Sequence, residues 1–100
     1  MEPLRKIVWD SKAFAQLENI FHYIRQQSPQ NADNIKQKLI EKLDQIPAQP
    51  EKHPIDKYRV ANKGDFRAFE FEHIRIAYKI TPAHIVIVRA RTTYQEPAFY

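Results

Sequence analysis

Three arginines in the last third of the chain are the residues whose types and spacing could do chemistry. Arg75 lies in the run HIRIAYKI, and Arg89 and Arg91 lie in the run HIVIVRART. Because side chains alternate between the two faces of a strand, we expect all three guanidinium groups on one face. Four aliphatic residues are expected on the other face: Ile74, Ile76, Val86 and Val88. A guanidinium group matches phosphate and carboxylate oxygens through paired hydrogen bonds, so the pattern predicts a basic surface suited to an anionic partner.

Net positive charge is confined to the part of the chain that holds these arginines. Residues 1–56 carry eight basic and eight acidic side chains, whereas residues 57–100 carry eight basic and four acidic ones, which accounts for the formal net charge of +4. This one-sided charge, with a sequence pI near 9.4, favours nucleic acid or an acidic polypeptide as partner. Four basic residues are predicted to bind that target: Lys63, Arg67, Lys79 and Arg89.

The basic residues also have purely structural interpretations. Arg75 could pair with Glu70 or Glu72, because opposite charges on neighbouring strands commonly pair. Lys63 and Arg67 could belong to a solvated hairpin edge. The sequence alone leaves both interpretations open.

Composition restricts the other chemistries. The chain has no cysteine, which removes thiolate catalysis, disulfides and cysteine-ligated zinc. Its four histidines lack the spacing of a two-ligand metal motif, so we expect neither a metal nor a cofactor. Tyr94 is predicted to be exposed after a strand and could donate a proton, whereas Tyr78 should bury its ring.

Two helices are predicted in the first half of the chain, after a short strand at 6–9. Asp10 or Ser11 would cap a helix at 12–27, and Ser28-Pro29 is typical of the start of a second helix that ends before Pro47. Apolar residues recur at helical spacing in both: Ala13, Phe14, Leu17, Ile20, Phe21 and Ile24 in the first, and Ala32, Ile35, Leu39, Leu43 and Ile46 in the second. We expect these faces to form the core together with Trp9.

The second half of the chain is predicted to form the sheet. A proline-rich connector at 47–57 leads to a turn in which Gly64, the only glycine, adopts positive φ. Four extended segments are predicted: 58–60, 66–71, 73–80 and 85–92. This order predicts a two-layer α+β fold, with the N-terminal strand and the helical hairpin packed on a small antiparallel sheet. The opposite face would stay open and carry the arginines together with Ile85 and Ile87.

Length and hydropathy predict one domain, 1–100, located in the cytoplasm. The first residues lack the apolar stretch of a secretory signal. No apolar run approaches the roughly 20 residues that span a bilayer, so we expect no membrane partner.

The segments IRIAYKI and IVIVRARTTYQEPAFY, with the predicted order of elements, resemble the RelE/ParE superfamily of bacterial toxins from type II toxin-antitoxin pairs. The resemblance covers nearly the whole chain and depends on R-I-A-Y in the penultimate strand and on R-x-R followed by P-x-x-Y. It implies a β-α-α-β-β-β fold, a growth-inhibiting activity and a cognate antitoxin as partner.

For members that cut mRNA on the ribosome, the resemblance implies roles for individual residues. Arg75 matches the arginine that holds the scissile phosphate, and Arg91 matches a second arginine at the end of the last strand. Many relatives carry histidine directly after that second arginine, where this chain has Thr92 and Thr93. The remaining candidates are Tyr94 or Tyr100 as proton donor and Glu70 or Glu72 as base.

Two mechanisms fit the resemblance. We favour ribosome-dependent mRNA cleavage, with the ribosome and mRNA as partners and Arg75, Arg91 and Tyr94 as catalytic residues. Other members of the superfamily poison DNA gyrase and lack a ribonuclease constellation. A noncatalytic gyrase inhibitor, or a degenerate protein that only sequesters antitoxin, is therefore the alternative, and a plain nucleic-acid-binding module is a third hypothesis.

Overall fold

Two helices pack on one face of a four-stranded sheet in the computed structural model, which describes residues 4–95 and 98–100. The elements are β1 (Lys6–Trp9), α1 (Ser11–Gln27), α2 (Pro29–Gln45), a 3-10 turn (Ile46–Ala48), β2 (Phe66–Phe71), β3 (Ile74–Ile80) and β4 (His84–Thr92). The strand order is β1-β4-β3-β2, with β1 parallel to β4 and the other pairs antiparallel. The predicted α+β fold is confirmed. The sheet was expected to be antiparallel, and the parallel pairing of β1 with β4 differs from that expectation.

The start of α2 follows the predicted pattern, whereas Asp10, at the N-terminus of α1, makes no side-chain capping hydrogen bond. The Ser28 side chain accepts a hydrogen bond from the Asn31 backbone N–H at 3.2 Å, and Pro29 occupies the first position of α2. The core combines the apolar helix faces with the facing side of the sheet. Its buried members are Ala13, Phe21, Ile35, Leu39, Leu43, Ile46, Phe69, Ile74, Ile76, Tyr78, Ile85, Ile87 and Ala90.

Phe14 lies at the margin of the core, contrary to prediction. Its side chain is 52% exposed, and its ring packs edge-on against Trp9 with centroids 6.0 Å apart. Successive residues of a helix point about 100° apart, and the small, fully buried Ala13 marks the line along which α1 approaches the sheet. Phe14 is therefore rotated toward the β1 edge.

A β-bulge in β4 changes which residues face the helices. Ala77 pairs with Arg89 and Tyr78 pairs with Ile87, so Val88 is the extra residue. Before the bulge, Ile85 and Ile87 face the helices and are fully buried. The predictions that they lie on the open face, and that Val86 and Val88 point inward, were wrong because strict alternation cannot anticipate an inserted residue. Beyond the bulge the side chains point to the faces that were predicted, and Arg89 and Arg91 lie on the open face.

The connector between α2 and β2 runs along the outer edge of β2. Ile55 forms a bridge with Arg67, and the Ala68 N–H donates to the Pro54 carbonyl at 3.0 Å. Gly64 has φ +101°, as predicted, whereas residues 58–60 lie in turns and not in a strand. Across residues 4–95 and 98–100, no helix combines the length and the apolar character needed to cross a bilayer.

Candidate functional site

The open side of the sheet carries Arg75, Arg89 and Arg91, and we call this side the arginine face. Arg75 on β3 lies directly opposite Arg91 on β4, and Arg89 lies opposite Ala77. The buried Ala77 leaves room for the larger side chains around it. The bulge at Val88 is the local feature that brings both β4 arginines to the same side as Arg75.

Arg75 is held by two carboxylates of the chain itself. Its Nη1 donates to Glu70 Oε2 and its Nη2 donates to Asp56 Oδ1, both at 2.9 Å. The guanidinium carbon lies 4.8 Å from the centre of the Tyr58 ring, and the side chain is only 19% exposed. These contacts match the structural interpretation of Arg75, in which Glu70 is its cross-strand partner.

Asp56 is the residue of this site that sequence reasoning missed. Its side chain is 1% exposed and accepts hydrogen bonds from Arg75 Nη2, from the Tyr58 N–H at 3.1 Å and from the Tyr100 hydroxyl at 2.6 Å. Burial raises the pKa of the carboxyl, but the hydrogen bonds from Tyr100, Arg75 and Tyr58 and the Arg75 charge outweigh it, so the pKa lies below its ordinary value. The proline-rich connector gave no signal for this, because Asp56 had the pattern of a turn residue.

Arg89 is engaged by the end of the chain. Its Nη1 donates to the Ala98 carbonyl at 2.6 Å, and its guanidinium carbon lies 4.6 Å from the centre of the Tyr100 ring. Burial and the neighbouring charge of Arg91 lower the pKa of Arg89. The guanidinium groups of Arg89 and Arg91, two residues apart on β4, create a local excess of positive charge on the arginine face.

A small cavity of about 110 Å³ lies between these groups. It is lined by Asp56, Tyr58, Glu70, Arg75, Ala77, Arg89, Arg91, Thr92, Thr93, Gln95 and Ala98. Three guanidinium groups against two carboxylates favour an anionic ligand over a cation. Within residues 4–95 and 98–100, no cluster of three side chains suited to binding a metal ion occurs.

Tyr94 belongs to a different cavity on the helix side of the sheet. This groove of about 970 Å³ runs between α1 and the ends of β3 and β4, and Arg91 lines both it and the small cavity. Tyr94 is 78% exposed and stacks on His73 with ring centres 4.8 Å apart. The three residues predicted to be catalytic are thus divided, with Arg75 in one cavity, Tyr94 in the other and Arg91 between them.

The other residues predicted to bind a target are not all on the arginine face. Lys79 is, and its ammonium lies 5.4 Å from the centre of the Phe66 ring. Lys63 is exposed in the turn beside Gly64. Arg67 instead faces the helix side, where its Nε donates to the Gly64 carbonyl and its Nη1 to the His53 carbonyl, both at 3.1 Å. Arg67 therefore lies outside the arginine face and fastens the connector to β2, and its contact with a target stays a prediction.

Tyr78 has the buried position expected of it. The ring is fully buried, and the hydroxyl donates to the Pro50 carbonyl at 2.6 Å. Burial raises the pKa of Tyr78 to about 12. The residue holds the start of the connector on the sheet.

Comparisons with known proteins identify the family. The family model of the ParE toxin of the type II toxin-antitoxin system parDE matches residues 7–96, and no curated protein matches significantly. Among solved structures, the chain resembles the chromosomal ParDE toxin-antitoxin system from P. aeruginosa at 20% identity and a TM-score of 0.67, over 89% of this chain and 96% of that one. It also resembles an E. coli RelE toxin mutant in complex with a peptide of the antitoxin RelBc, at 15% identity and a TM-score of 0.51, over 88% and 82% of the two chains. This chain therefore belongs to the ParE toxin family of type II toxin-antitoxin systems, within the RelE/ParE superfamily.

Proposed function

We propose that the protein arrests growth in the cytoplasm by binding and inhibiting DNA gyrase without cutting RNA, and that a cognate antitoxin neutralises it. The observation that carries the proposal is the state of Arg75, which gives two donors to Glu70 and the buried Asp56. A phosphate could take over these donors only if both carboxylates moved away, and Asp56 would then be left buried without its cation.

The position of the titratable groups supports the same conclusion. RNA cleavage needs a base for the 2′-hydroxyl and an acid for the leaving oxygen, each within hydrogen-bond reach of the same phosphate. Tyr94 lines the groove on the helix side, whereas Arg75 lines the small cavity on the other side of the sheet. The lowered pKa of Asp56 makes that carboxylate a weak base. The geometry is better suited to target binding than to acid-base catalysis.

Membership of a toxin-antitoxin family supports the antitoxin as partner. The RelE structure that the chain resembles contains an antitoxin peptide. The positive charge of residues 57–100 would favour rapid association with an acidic antitoxin segment.

The test compares gyrase and mRNA as targets in one preparation. Purified protein is added to a gyrase supercoiling assay and, separately, to a translating extract in which new mRNA ends are mapped. We expect loss of supercoiling and intact transcripts. New ends within translated codons, with supercoiling unchanged, would overturn the proposal and restore the mRNA cleavage that the sequence pattern favoured.

Two variants locate the activity on the arginine face. Arg91→Gln removes one charge from this face, and Lys38→Gln removes one charge from the exposed side of α2. We expect Arg91→Gln to weaken gyrase inhibition and Lys38→Gln to leave it unchanged. Equal effects would mean that overall charge, and not the arginine face, governs inhibition.

A further inference from the structure

Residues 98–100 cross the arginine face as a short segment that we call the strap. The Tyr100 N–H donates to the Tyr58 carbonyl at 3.0 Å, and the Val60 N–H donates to the backbone oxygen of Tyr100 at 2.7 Å. Tyr100 thus bonds to two residues that lie two positions apart, which is the hydrogen-bond pattern of parallel strands and joins the strap to the connector. The strap thereby lies beside the side chains that line the small cavity.

The side chain of Tyr100 fastens the strap to the centre of the site. Its hydroxyl donates to Asp56 Oδ2 at 2.6 Å, while Arg75 occupies the other carboxylate oxygen at 2.9 Å. Hydrogen bonds to a charged acceptor are stronger than those between neutral groups. Asp56 therefore connects β3, the connector and the strap, and we call its hydrogen bond with Tyr100 the latch.

The strap also occupies Arg89. The Ala98 carbonyl accepts from Arg89 Nη1 at 2.6 Å, and the Tyr100 ring lies against the same guanidinium at 4.6 Å. A backbone carbonyl oxygen thus accepts from a guanidinium N–H, a donor of the kind that also suits oxyanions. While the strap is in place, this N–H of Arg89 is bound to the Ala98 carbonyl of the same chain.

The strap is held by polar contacts and by the Tyr100 ring, which packs edge-on against Phe66 with centroids 6.4 Å apart and lies 5.1 Å from the guanidinium carbon of Arg59. Ala98 is exposed, and Phe99 is 71% exposed although its ring touches Tyr58 at 5.9 Å. Segments with few buried apolar contacts open at a small fraction of the free energy of global unfolding. An oxyanion that replaced the Ala98 carbonyl on Arg89 would offset part of the free energy needed to open the strap.

We propose that the strap is a displaceable cover of the arginine face, latched by the Tyr100–Asp56 hydrogen bond, and that it competes with an oxyanion for Arg89. This inference goes beyond the proposed function, because it concerns access to the arginine face whichever macromolecule is the target. Its predictions can be tested on the purified protein without gyrase, RNA or antitoxin.

The first experiment measures opening by amide hydrogen exchange. Tyr100→Phe removes the latch hydroxyl and keeps the ring, and Tyr94→Phe is the matched control at an exposed tyrosine. We expect the Val60 amide to exchange about tenfold faster in Tyr100→Phe and at the wild-type rate in Tyr94→Phe. The Ala68 amide, which bonds to Pro54, is the internal reference for an intact fold and should stay protected in both. Unchanged protection of Val60 in Tyr100→Phe would overturn the latch.

The second experiment measures competition with inorganic phosphate, followed by the NMR signal of Arg89 Nε at constant ionic strength. Because opening no longer costs as much in Tyr100→Phe, we expect this variant to bind phosphate about tenfold more tightly than wild type. Phosphate should also speed exchange at Val60 in the wild-type protein. Equal phosphate affinity in wild type and Tyr100→Phe, or a phosphate effect at Arg89 that leaves Val60 unchanged, would overturn the competition.

Discussion

At the scale of single residues, Asp56 organises the candidate site. A carboxylate that is 1% exposed is stable only when charged and polar partners replace water, and here Arg75, Tyr100 and the Tyr58 N–H do so. Glu70 contacts the same guanidinium from a position that is 52% exposed. The two acids therefore make unequal contributions to stability, although their distances to Arg75 are the same.

This inequality predicts different costs for two substitutions. Arg75→Ala leaves Asp56 buried without its cation and should lower the free energy of unfolding by about 3 kcal/mol or more. Glu70→Gln breaks only the solvent-exposed pair and should cost less than ~1 kcal/mol. Urea unfolding of both variants at neutral pH measures the difference. Similar costs for the two would show that Asp56 is satisfied without Arg75.

A dependence of stability on acid pH follows from the lowered pKa of Asp56. The unfolded chain titrates this carboxyl near its ordinary pKa of about 3.9, and the folded protein titrates it at lower pH. Its contribution to stability is therefore fully present above pH ~4 and is lost as the pH falls through the folded pKa. Three groups face the Asp56 carboxylate and do not titrate in this pH range: Arg75, Tyr100 and Arg89. Glu70 is the second carboxylate that accepts a hydrogen bond from Arg75.

Unfolding curves from pH 2 to pH 7 test this prediction. Wild type and Glu70→Gln should both lose stability in acid, and Asp56→Asn should lose less because its side chain has no proton to gain. An acid dependence in Asp56→Asn equal to that of wild type would assign the effect to other carboxylates.

At the scale of elements, periodicity predicted the helices and most of the sheet, and it failed where the backbone departs from regular spacing. The buried face of α2 follows the predicted stripe residue by residue, because a helix of 17 residues repeats its pattern several times. The nine-residue β4 contains one inserted residue, Val88, and alternation carried across it assigns Ile85 and Ile87 to the wrong face. A single sequence gives no signal for such a bulge, since both faces of the strand offer aliphatic residues.

Deleting Val88 tests the role of the bulge. Without Val88, regular alternation keeps Ile85 and Ile87 on the helix side and Arg89 and Arg91 on the open face, because the pairs Tyr78–Ile87 and Ala77–Arg89 then follow one another directly. The deletion variant should therefore fold with the same core and lose much less than the roughly 3–6 kcal/mol that exposing two buried isoleucines would cost. Val88→Ala keeps the chain length and the inserted position, and it should also remain folded. Circular dichroism and thermal unfolding measure both variants, and an unfolded deletion variant would mean that the fold requires the bulge itself.

At the scale of the whole molecule, the arginine face was partly predictable from the sequence. Local spacing in β3 and β4 placed Arg75, Arg89 and Arg91 on one side. Their partners could not be predicted, because Asp56 precedes Arg75 by 19 residues and Tyr100 follows Asp56 by 44 across irregular segments. Contacts of this kind depend on how the connector and the strap lie on the finished sheet, which no local pattern records.

The one-sided charge of the molecule leads to a prediction about binding to a polyanion. Lys79 lies on the arginine face, whereas Lys38 lies on the exposed side of α2, so Lys79→Gln and Lys38→Gln change the net charge equally at different places. If the arginine face contacts the phosphates of duplex DNA, each lost contact lowers the slope of log affinity against log salt by about 0.9. We expect this decrease for Lys79→Gln and a smaller one for Lys38→Gln. Titrations at several salt concentrations measure both slopes, and equal slopes would mean that binding follows net charge alone and that the arginine face does not orient the polyanion.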